Sequence, residues 1–276
     1  GGGAERSMLN LATGFLAEGR EVDIVLCQAK GAFLDEIPAG ATMIELEATG
    51  GLRTRWIIAR SNLQDFFIRL RPVLLAKKTA PEVASIRSLQ RYIVASQPDV
   101  ILSALPYANL SAIWAKELSG SRVPVIVSER IALLSYCAAP SNSRKWRWRY
   151  LPELVRRTYP RADRVIAVSD HVANELITTI GLSKDSVVAV PNPVVDGALR
   201  ACAQQALAHP WFTQDGPPVI LAAGRLTEQK DFATLIHAFA AVRTDREARL
   251  VILGEGRLRG DLEQLVCTLG IQADVY

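Results

Sequence analysis

Two basic residues bracket a glycine turn in the last quarter of the chain. The segment Ala222–Phe232 reads AAGRLTEQKDF, with Arg225 directly after Gly224 and Lys230 five residues further on. An apolar run precedes this loop and a helical pattern follows it, which predicts a buried strand that turns into a helix. Cations beside a helix N-terminus suit a diphosphate, because free N–H groups there favour anions and an arginine fork matches phosphate oxygens. A plain strand–helix turn with two solvated cations fits the same spacing.

A second glycine turn, Gly254-Glu255-Gly256, follows the next apolar run. Its glycines would let backbone N–H groups approach a nucleotide, although a simple turn has the same sequence. The pattern does not continue as the dinucleotide-binding GxGxxG motif, because Arg259 occupies the place of the third glycine and Gly260 comes one position late. This spacing argues against a Rossmann-type dehydrogenase.

Three further groups in the predicted first domain, residues 1–195, are candidates for a ligand site. Gly2 and Gly3 belong to a glycine run that leads into a helical pattern, where they could touch a phosphate or a sugar; a flexible terminus is the alternative. Glu129 and Arg130 follow an apolar run, and the carboxyl end of a buried parallel strand is where such sheets bind ligands. A salt-bridged loop would have the same sequence. Asn192, between two prolines, could line a cleft or hold a hinge.

Tryptophan and arginine alternate in the segment Arg144–Tyr150, which reads RKWRWRY. Amphipathic rings sit at headgroup depth and cations attract anionic lipid, so the segment suits contact with a membrane surface. A solvated helix face with its aromatic rings packed inward is the alternative. Nucleic acid is not expected as a partner, because the cations form no long stripe and no binding motif accompanies them.

Short β-branched runs alternate with helical patterns, which predicts an α/β fold with parallel sheets. The predicted strands are 22–27, 100–103, 123–128, 164–169, 187–190, 219–223 and 249–253. The predicted helices are 4–18, 82–96, 109–118, 144–159, 170–179, 199–208, 232–242 and 258–269. Residues 36–80 are the least regular region, and their basic and aromatic stretch 53–78 fits one long amphipathic helix or two shorter ones. Turn signals from Pro191 onward predict two domains, 1–195 and 196–276, with the boundary somewhere in 191–217.

The composition is that of an ordinary globular chain of 276 residues, with 49% apolar and 22% charged residues. A net charge of +4 favours an anionic ligand or surface. The four cysteines are far apart and form no CxxC pair, so neither a zinc site nor a disulfide framework is expected, and a cytoplasmic setting fits. No apolar run reaches the roughly 18–20 residues of a membrane-spanning helix.

The ordered set of segments resembles glycosyltransferase family 4, the group 1 glycosyltransferases of the GT-B fold, along nearly the whole chain. The opening through Asn10-Leu11-Ala12 is similar to the family's GGAER…NLA start. Ser128-Glu129-Arg130 is similar to the SER of members that build bacterial surface glycans. Pro191-Asn192-Pro193-Val194 resembles the segment that leads into the interdomain linker, with Val195 intervening before Asp196.

The resemblance extends to the glycine turns of the second domain. Gly224-Arg225-Leu226 with Lys230-Asp231-Phe232 is similar to the donor-phosphate motif, and Gly254-Glu255-Gly256 to the next loop. These similarities imply two Rossmann-like domains, the first on the acceptor side and the second binding a nucleotide sugar. Arg225 and Lys230 would stabilise the leaving diphosphate electrostatically, in place of a metal ion. Gly224 and the 254–256 loop would bind the donor, and Gly2, Gly3, Glu129, Arg130 and Asn192 would lie on the acceptor side or in the cleft.

The implied enzyme is a retaining glycosyltransferase that needs no metal or other cofactor. It would move a sugar from a nucleotide diphosphate, expected to be UDP, to a glycan or lipid-linked acceptor in surface polysaccharide synthesis. It would act in the cytoplasm, with peripheral contact to the inner face of the membrane through residues 144–150.

Two parts of the family pattern are not found in the sequence. The family's first strand is expected before Gly1, in the first domain. The Glu-x7-Glu element is expected beyond Tyr276, so the second domain would be incomplete. We therefore expect the chain as given to bind donor weakly and to turn over little, which comparison with a version extended at both ends would test. A non-catalytic or inactive version of the same fold is an alternative function. A nucleotide-sugar epimerase is another, and it would release a free sugar without an acceptor.

Overall fold

A computed structural model describes residues 2–49, 54–55, 57–58, 73–74, 79–213 and 216–276. The chain divides into two compact units, Gly1–Asp196 and Gly197–Tyr276. The basic and aromatic stretch 53–78, for which one long helix or two shorter ones were predicted, falls mostly outside the described residues.

The N-terminal unit alternates strands and helices. Its strands are β1 (Asp23–Leu26), β2 (Thr42–Glu45), β3 (Ile101–Ala104), β4 (Val125–Glu129), β5 (Arg164–Ala167) and β6 (Val187–Ala189). Its helices are α1 (Gly3–Ala17), α2 (Pro81–Ala84), α3 (Ile86–Ser96), α4 (Pro106–Ser119), α5 (Leu133–Ala138), α6 (Pro140–Ser143), α7 (Trp146–Arg149), α8 (Leu151–Thr158) and α9 (Asp170–Asn174). Shorter turns are the 3-10 segments Leu34–Glu36, Tyr159–Arg161 and Lys184–Ser186 and the π-helical segment Glu175–Thr179.

All strand pairs in this unit are parallel within the described residues. β1 pairs with β2, and the larger sheet has the order β3-β4-β5-β6. β4 is covered on both faces, as its continuous apolar sequence predicts for an inner parallel strand. The core is centred on α4, where Leu110, Ile113 and Trp114 are fully buried. Because β3, β4, β5 and β6 are parallel, their carboxyl ends lie at the same end of the sheet.

The C-terminal unit repeats the strand–helix pattern. Its elements are α10 (Gly197–Ala203), α11 (Pro210–Thr213), β7 (Val219–Ala223), the 3-10 turn Glu228–Lys230, α12 (Phe232–Asp245), β8 (Arg249–Leu253), α13 (Arg259–Thr268) and the 3-10 turn Gln272–Asp274. β7 and β8 pair in parallel from Val219↔Arg249 to Ala223↔Leu253. Phe232, Ile236 and Phe239 of α12 pack into a core with Leu250 of β8.

Several predicted elements differ from the observed ones. β2 lies in residues 36–80, where no strand was predicted. The predicted helix 144–159 is broken into α7 and α8, because Pro152 lacks an N–H group and suits only the first turn of a new helix. The predicted helix 82–96 is likewise interrupted at Ser85, which separates α2 from α3.

Three features of composition can be checked against the part of the chain that is described. None of its helices has the length and apolarity needed to cross a bilayer. Cys27, Cys137, Cys202 and Cys267 are all free. No group of three or more His, Cys, Asp or Glu side chains among these residues could hold a metal ion.

Candidate functional site

The loops that follow β7 and β8 run side by side at the carboxyl end of the sheet. Backbone N–H groups of the first loop donate to the second: Gly224 to the carbonyl of Leu253 at 2.9 Å, and Leu226 to that of Glu255 at 3.0 Å. Leu258 donates back to the carbonyl of Leu226 at 3.2 Å. Both predicted glycine turns therefore belong to one structure.

Close packing of these loops requires glycine at two positions. A β-carbon on Gly254 would come 1.9 Å from the carbonyl oxygen of Gly224, and one on Gly256 would come 2.3 Å from that of Leu226. Any side chain at either position would collide with backbone that cannot rotate away. Glycine at these two positions is therefore what allows the two loops to pack backbone to backbone, and both glycines are also exposed.

Arg225 and Lys230 are exposed on the first of these loops. Within the described residues, neither side chain forms a hydrogen bond or an ion pair with a carboxylate. The aliphatic part of Lys230 lies against Gly224, because its Cδ and Cε atoms would be 3.5 Å from a β-carbon there. Glu228, on the same loop as Arg225 and Lys230, forms an ion pair with Arg257 of the loop after β8. The first loop thus carries two exposed cations that have no carboxylate partner among the described residues.

The loop is fixed where it enters α12. Asp231 precedes this helix with φ +49°, an unusual conformation for a residue other than glycine. Its carboxylate accepts a hydrogen bond from the hydroxyl of Thr234 at 2.9 Å, one turn into the helix. The predicted donor-binding residue Glu255 presents its backbone carbonyl to the first loop, while its carboxylate pairs with Arg259. The side chain of Glu255 therefore contacts the first residue of α13, Arg259.

In the N-terminal unit, a chain of buried polar side chains ends at Glu129. The hydroxyl of Ser103 donates to Oδ1 of Asn109 at 2.8 Å, and Nδ2 of Asn109 donates to the hydroxyl oxygen of Tyr159 at 2.9 Å. Tyr159 in turn donates to Oε2 of Glu129 at 2.9 Å. Oε1 of Glu129 accepts the backbone N–H of Arg130 at 3.1 Å. The network thus runs from the end of β3 to the end of β4.

Burial dominates the electrostatics of Glu129, whose side chain has no exposed surface. Loss of hydration raises the pKa of its carboxyl group to about 7, and the nearby carboxylate of Glu175 adds to this. The hydroxyl of Tyr159 and the backbone N–H groups of Arg130 and Ile131 favour the charged form and oppose the rise. Glu129 therefore lies inside the fold and can affect a ligand only through its neighbours.

Arg130 and Asn192, two of the predicted acceptor-side residues, are in direct contact. Nη1 of Arg130 donates to Oδ1 of Asn192 at 2.6 Å, and Nη2 lies 3.3 Å from the sulfur of Met8 on α1. Gly2 and Gly3 begin the same helix. The N–H of Gly2 donates to the Glu5 carboxylate at 2.9 Å. Gly3 is exposed, with open space where a side chain would be.

Three residues near the carboxyl ends of β3 and β4 were not predicted from the sequence. Tyr159 and Asn109 sit in helical patterns, where a tyrosine or an asparagine looks like an ordinary core or surface residue. Leu105, directly after β3, has φ +79°, and its N–H lies 3.4 Å from the carbonyl oxygen of Ser128. A non-glycine residue in that conformation is strained, and strain of this kind collects at functional sites.

The aromatic residues of the segment Arg144–Tyr150 point in different directions. Trp148 packs edge-on against Tyr107 and Tyr136, with ring centroids 5.6 and 5.1 Å apart, and is partly buried. Trp146 is 47% exposed. One tryptophan is therefore part of the core, and the other is free to meet a surface.

Profiles of two protein families cover most of the chain. Glycosyltransferase Family 4 matches residues 1–196, and Glycosyl transferases group 1 matches residues 204–276.

Two similar sequences come from Campylobacter jejuni subsp. jejuni serotype O:2. The N-acetylgalactosamine-N,N'-diacetylbacillosaminyl-diphospho-undecaprenol 4-alpha-N-acetylgalactosaminyltransferase is 31% identical over 122 residues, which are 44% of this chain and 31% of that protein. The GalNAc-alpha-(1->4)-GalNAc-alpha-(1->3)-diNAcBac-PP-undecaprenol alpha-1,4-N-acetyl-D-galactosaminyltransferase is 26% identical over 280 residues, 99% of this chain and 64% of that protein.

The fold is similar to that of a solved structure, Anabaena Alr3699/HepE in complex with UDP-glucose. The TM-score is 0.63 at 16% identity, over 100% of this chain and 65% of that one. The predicted GT-B type of α/β fold is thereby confirmed. The chain spans less than two thirds of the length of each of these proteins.

Proposed function

We propose that this chain, which belongs to glycosyltransferase family 4 in residues 1–196 and to the group 1 glycosyltransferases in residues 204–276, transfers a sugar from a UDP-linked donor. The acceptor is a glycan or a lipid-linked glycan in surface polysaccharide synthesis, and the donor's anomeric configuration is retained. The names of the two Campylobacter relatives support the lipid-linked choice, since both specify acceptors on undecaprenol. The UDP-glucose bound to the Anabaena protein supports the nucleotide.

The observation that carries this proposal is the paired loop structure after β7 and β8. Gly254 and Gly256 let the two loops pack backbone to backbone and are exposed, and Arg225 and Lys230 are exposed on the first loop without an acidic partner among the described residues. A leaving diphosphate develops negative charge, which preorganised cations and N–H groups stabilise. In this role the two cations act electrostatically, neither taking up nor releasing a proton, and no metal is needed.

Binding of UDP to the chain tests the donor site directly. Arg225→Ala and Lys230→Ala should each weaken binding about tenfold, as expected for loss of a charge-assisted phosphate contact. Arg246→Ala is the matched control, because this exposed arginine lies in the same unit at the amino end of β8. Equal UDP affinity for the double variant Arg225→Ala/Lys230→Ala and the wild type would overturn the proposed site.

Transfer is tested on the protein extended to the length of its relatives. Incubation with UDP-sugars and a lipid extract should give a glycosylated lipid whose new linkage keeps the donor configuration, as determined by NMR. Release of a free sugar epimer without acceptor would instead show the epimerase alternative. No product with any donor would favour a non-catalytic role.

We also propose peripheral contact with a membrane surface through residues 144–150. Exposed Trp146 and the surrounding cations support this, since an indole ring and basic groups suit the interface with anionic lipid. The cytoplasmic location stays a prediction.

A further inference from the structure

Arg130 lies where three segments of the N-terminal unit meet. Its backbone follows β4, its Nη1 is held by Asn192 in the segment after β6, and its Nη2 rests on Met8 of α1. Asn10 on α1 also donates to the carbonyl of Pro193 at 2.7 Å, which ties the helix to the residue after Asn192. These contacts therefore hold the guanidinium in place at the carboxyl end of β4, and open parallel sheets bind ligands at the carboxyl ends of their strands.

None of these contacts neutralises the charge of Arg130. Within the described residues no carboxylate oxygen lies within 4.0 Å of its guanidinium, and the buried Nε has no hydrogen-bond partner. Burial lowers the pKa of this group below its ordinary value, because desolvation disfavours the charged form. Other partly buried cations pair with carboxylates: Lys116 with Asp163 at 2.8 Å, Arg161 with Glu117 at 3.1 Å and Arg243 with Asp274 at 2.8 Å.

The carboxylate nearest in sequence does not fill this gap. Glu129 directs its oxygens to the hydroxyl of Tyr159 and the backbone N–H of Arg130, away from the guanidinium. Asn192 and Met8 supply a neutral oxygen and a sulfur, which orient the group without cancelling its charge. Among the described residues, the guanidinium of Arg130 therefore has neutral partners only.

We propose that Arg130, oriented by Asn192, is the subsite for a phosphate or diphosphate group on the acceptor. The inference rests on the proposed function, because it names the chemical class of the acceptor's recognised group. Each Nη atom keeps a second N–H after its contact with Asn192 or Met8, so two charged donors remain for phosphate oxygens. The donor's diphosphate has its own cations in Arg225 and Lys230, in the other unit.

Calorimetric titration with geranyl diphosphate, a water-soluble isoprenoid diphosphate, tests the subsite. The titration is done in the Arg225→Ala/Lys230→Ala background, so that the donor-side cations do not contribute. Binding should be measurable there, and adding Arg130→Gln should weaken it about tenfold or more. Asn192→Ala, which keeps the cation but removes its hydrogen bond, should give a smaller loss.

Arg122→Gln in the same background is the matched control, because this exposed arginine lies at the other end of β4. Its affinity for geranyl diphosphate should stay within about twofold of the background. Thermal unfolding of the Arg130→Gln protein is recorded alongside, and an unchanged midpoint shows that any loss of binding comes from the missing guanidinium.

Three results would overturn the inference without touching the donor site. The first is that the background variant does not bind geranyl diphosphate, and the second is that Arg130→Gln leaves its binding unchanged. The third is that Arg130→Gln, in the otherwise unchanged chain, weakens the binding of UDP alone, which would assign Arg130 to the donor's phosphate. Failure of the proposed function would appear separately, as UDP binding that ignores Arg225 and Lys230.

Discussion

Gly254 lies so close to Gly224 that a single added methyl group at Gly254 would sit 1.9 Å from the Gly224 carbonyl oxygen. The contact joins the loops after β7 and β8 backbone to backbone, and Gly256 makes a similar contact with Leu226. The requirement for glycine at both positions is thus steric, and it is set by the fold before any ligand binds.

Gly254→Ala and Gly256→Ala should therefore each destabilise the C-terminal unit by about 3 kcal/mol or more, because backbone must move to admit the methyl group. They should also weaken UDP binding. Gly260→Ala is the control: nothing lies within 4 Å of a β-carbon there, and alanine favours the helix, so stability should rise by up to about 1 kcal/mol. Urea denaturation measures all three, and a Gly254→Ala protein as stable as wild type would show that the loops are further apart.

The sequence predicts this part of the molecule well. Continuous apolar runs that end in glycine predict β7 and β8 at their observed residues, 219–223 and 249–253. Parallel pairing then brings Gly224 and Gly254 together, because both follow neighbouring strands at the same end of the sheet. Local pattern suffices here since each glycine turn lies within a few residues of the strand that positions it.

The buried network around Glu129 shows what local pattern cannot supply. Tyr159 lies 30 residues from Glu129 and 50 from Asn109 along the chain, and the sequence contains no signal that joins them. Glu129 was expected to line a ligand cleft or a salt-bridged loop, whereas it is fully buried and held by the hydroxyl of Tyr159 in the 3-10 turn after α8. Burial of this kind depends on how helices pack, which periodicity does not specify.

The pH dependence of stability should report the protonation of Glu129. Its pKa is about 7 in the folded protein and 4.5 when unperturbed, so between these values the unfolded state releases a proton that the folded state keeps. The free energy of unfolding should therefore fall by about 3 kcal/mol as the pH rises from 4.5 to 7, and this group should contribute no further change above that range.

Glu129→Gln should flatten this decline, because the glutamine does not titrate. Glu18→Gln, at the exposed end of α1, should leave it in place. Urea titrations of the three proteins at pH 5 and pH 7.5 give the comparison. An undiminished decline in the Glu129→Gln protein would mean that another group is responsible.

Tyr159→Phe isolates one hydrogen-bond donor in the same network. The ring stays in the core, while Oε2 of Glu129 and Nδ2 of Asn109 each lose a partner, at a cost of about 1–3 kcal/mol. Because the Tyr159 hydroxyl favours the charged carboxylate, its loss should also raise the pKa of Glu129 further. The upper end of the pH-dependent decline should then move to higher pH.

The matched control is Tyr136→Phe, which removes a hydroxyl from a partly exposed ring that packs against Trp148. Its effect on the free energy of unfolding should stay within about 0.5 kcal/mol. If Tyr159→Phe is equally mild and leaves the pH profile unchanged, the hydroxyl of Tyr159 does not support Glu129.

The two tryptophans of residues 144–150 separate membrane contact from core packing. Trp146→Ala removes an exposed ring and should reduce binding to vesicles of anionic lipid roughly threefold or more, with little change in stability. Trp148→Ala removes a ring packed between Tyr107 and Tyr136, and should lower the thermal midpoint instead. Vesicle flotation and thermal unfolding distinguish the two effects.

Because the attraction depends partly on cations, vesicle binding by the wild type should also weaken as salt screens the charges. Neutral lipid vesicles provide the control for this electrostatic part. If Trp146→Ala binds anionic vesicles as tightly as wild type does, residues 144–150 are a solvated face of the N-terminal unit, and any membrane contact must come from another part of the protein.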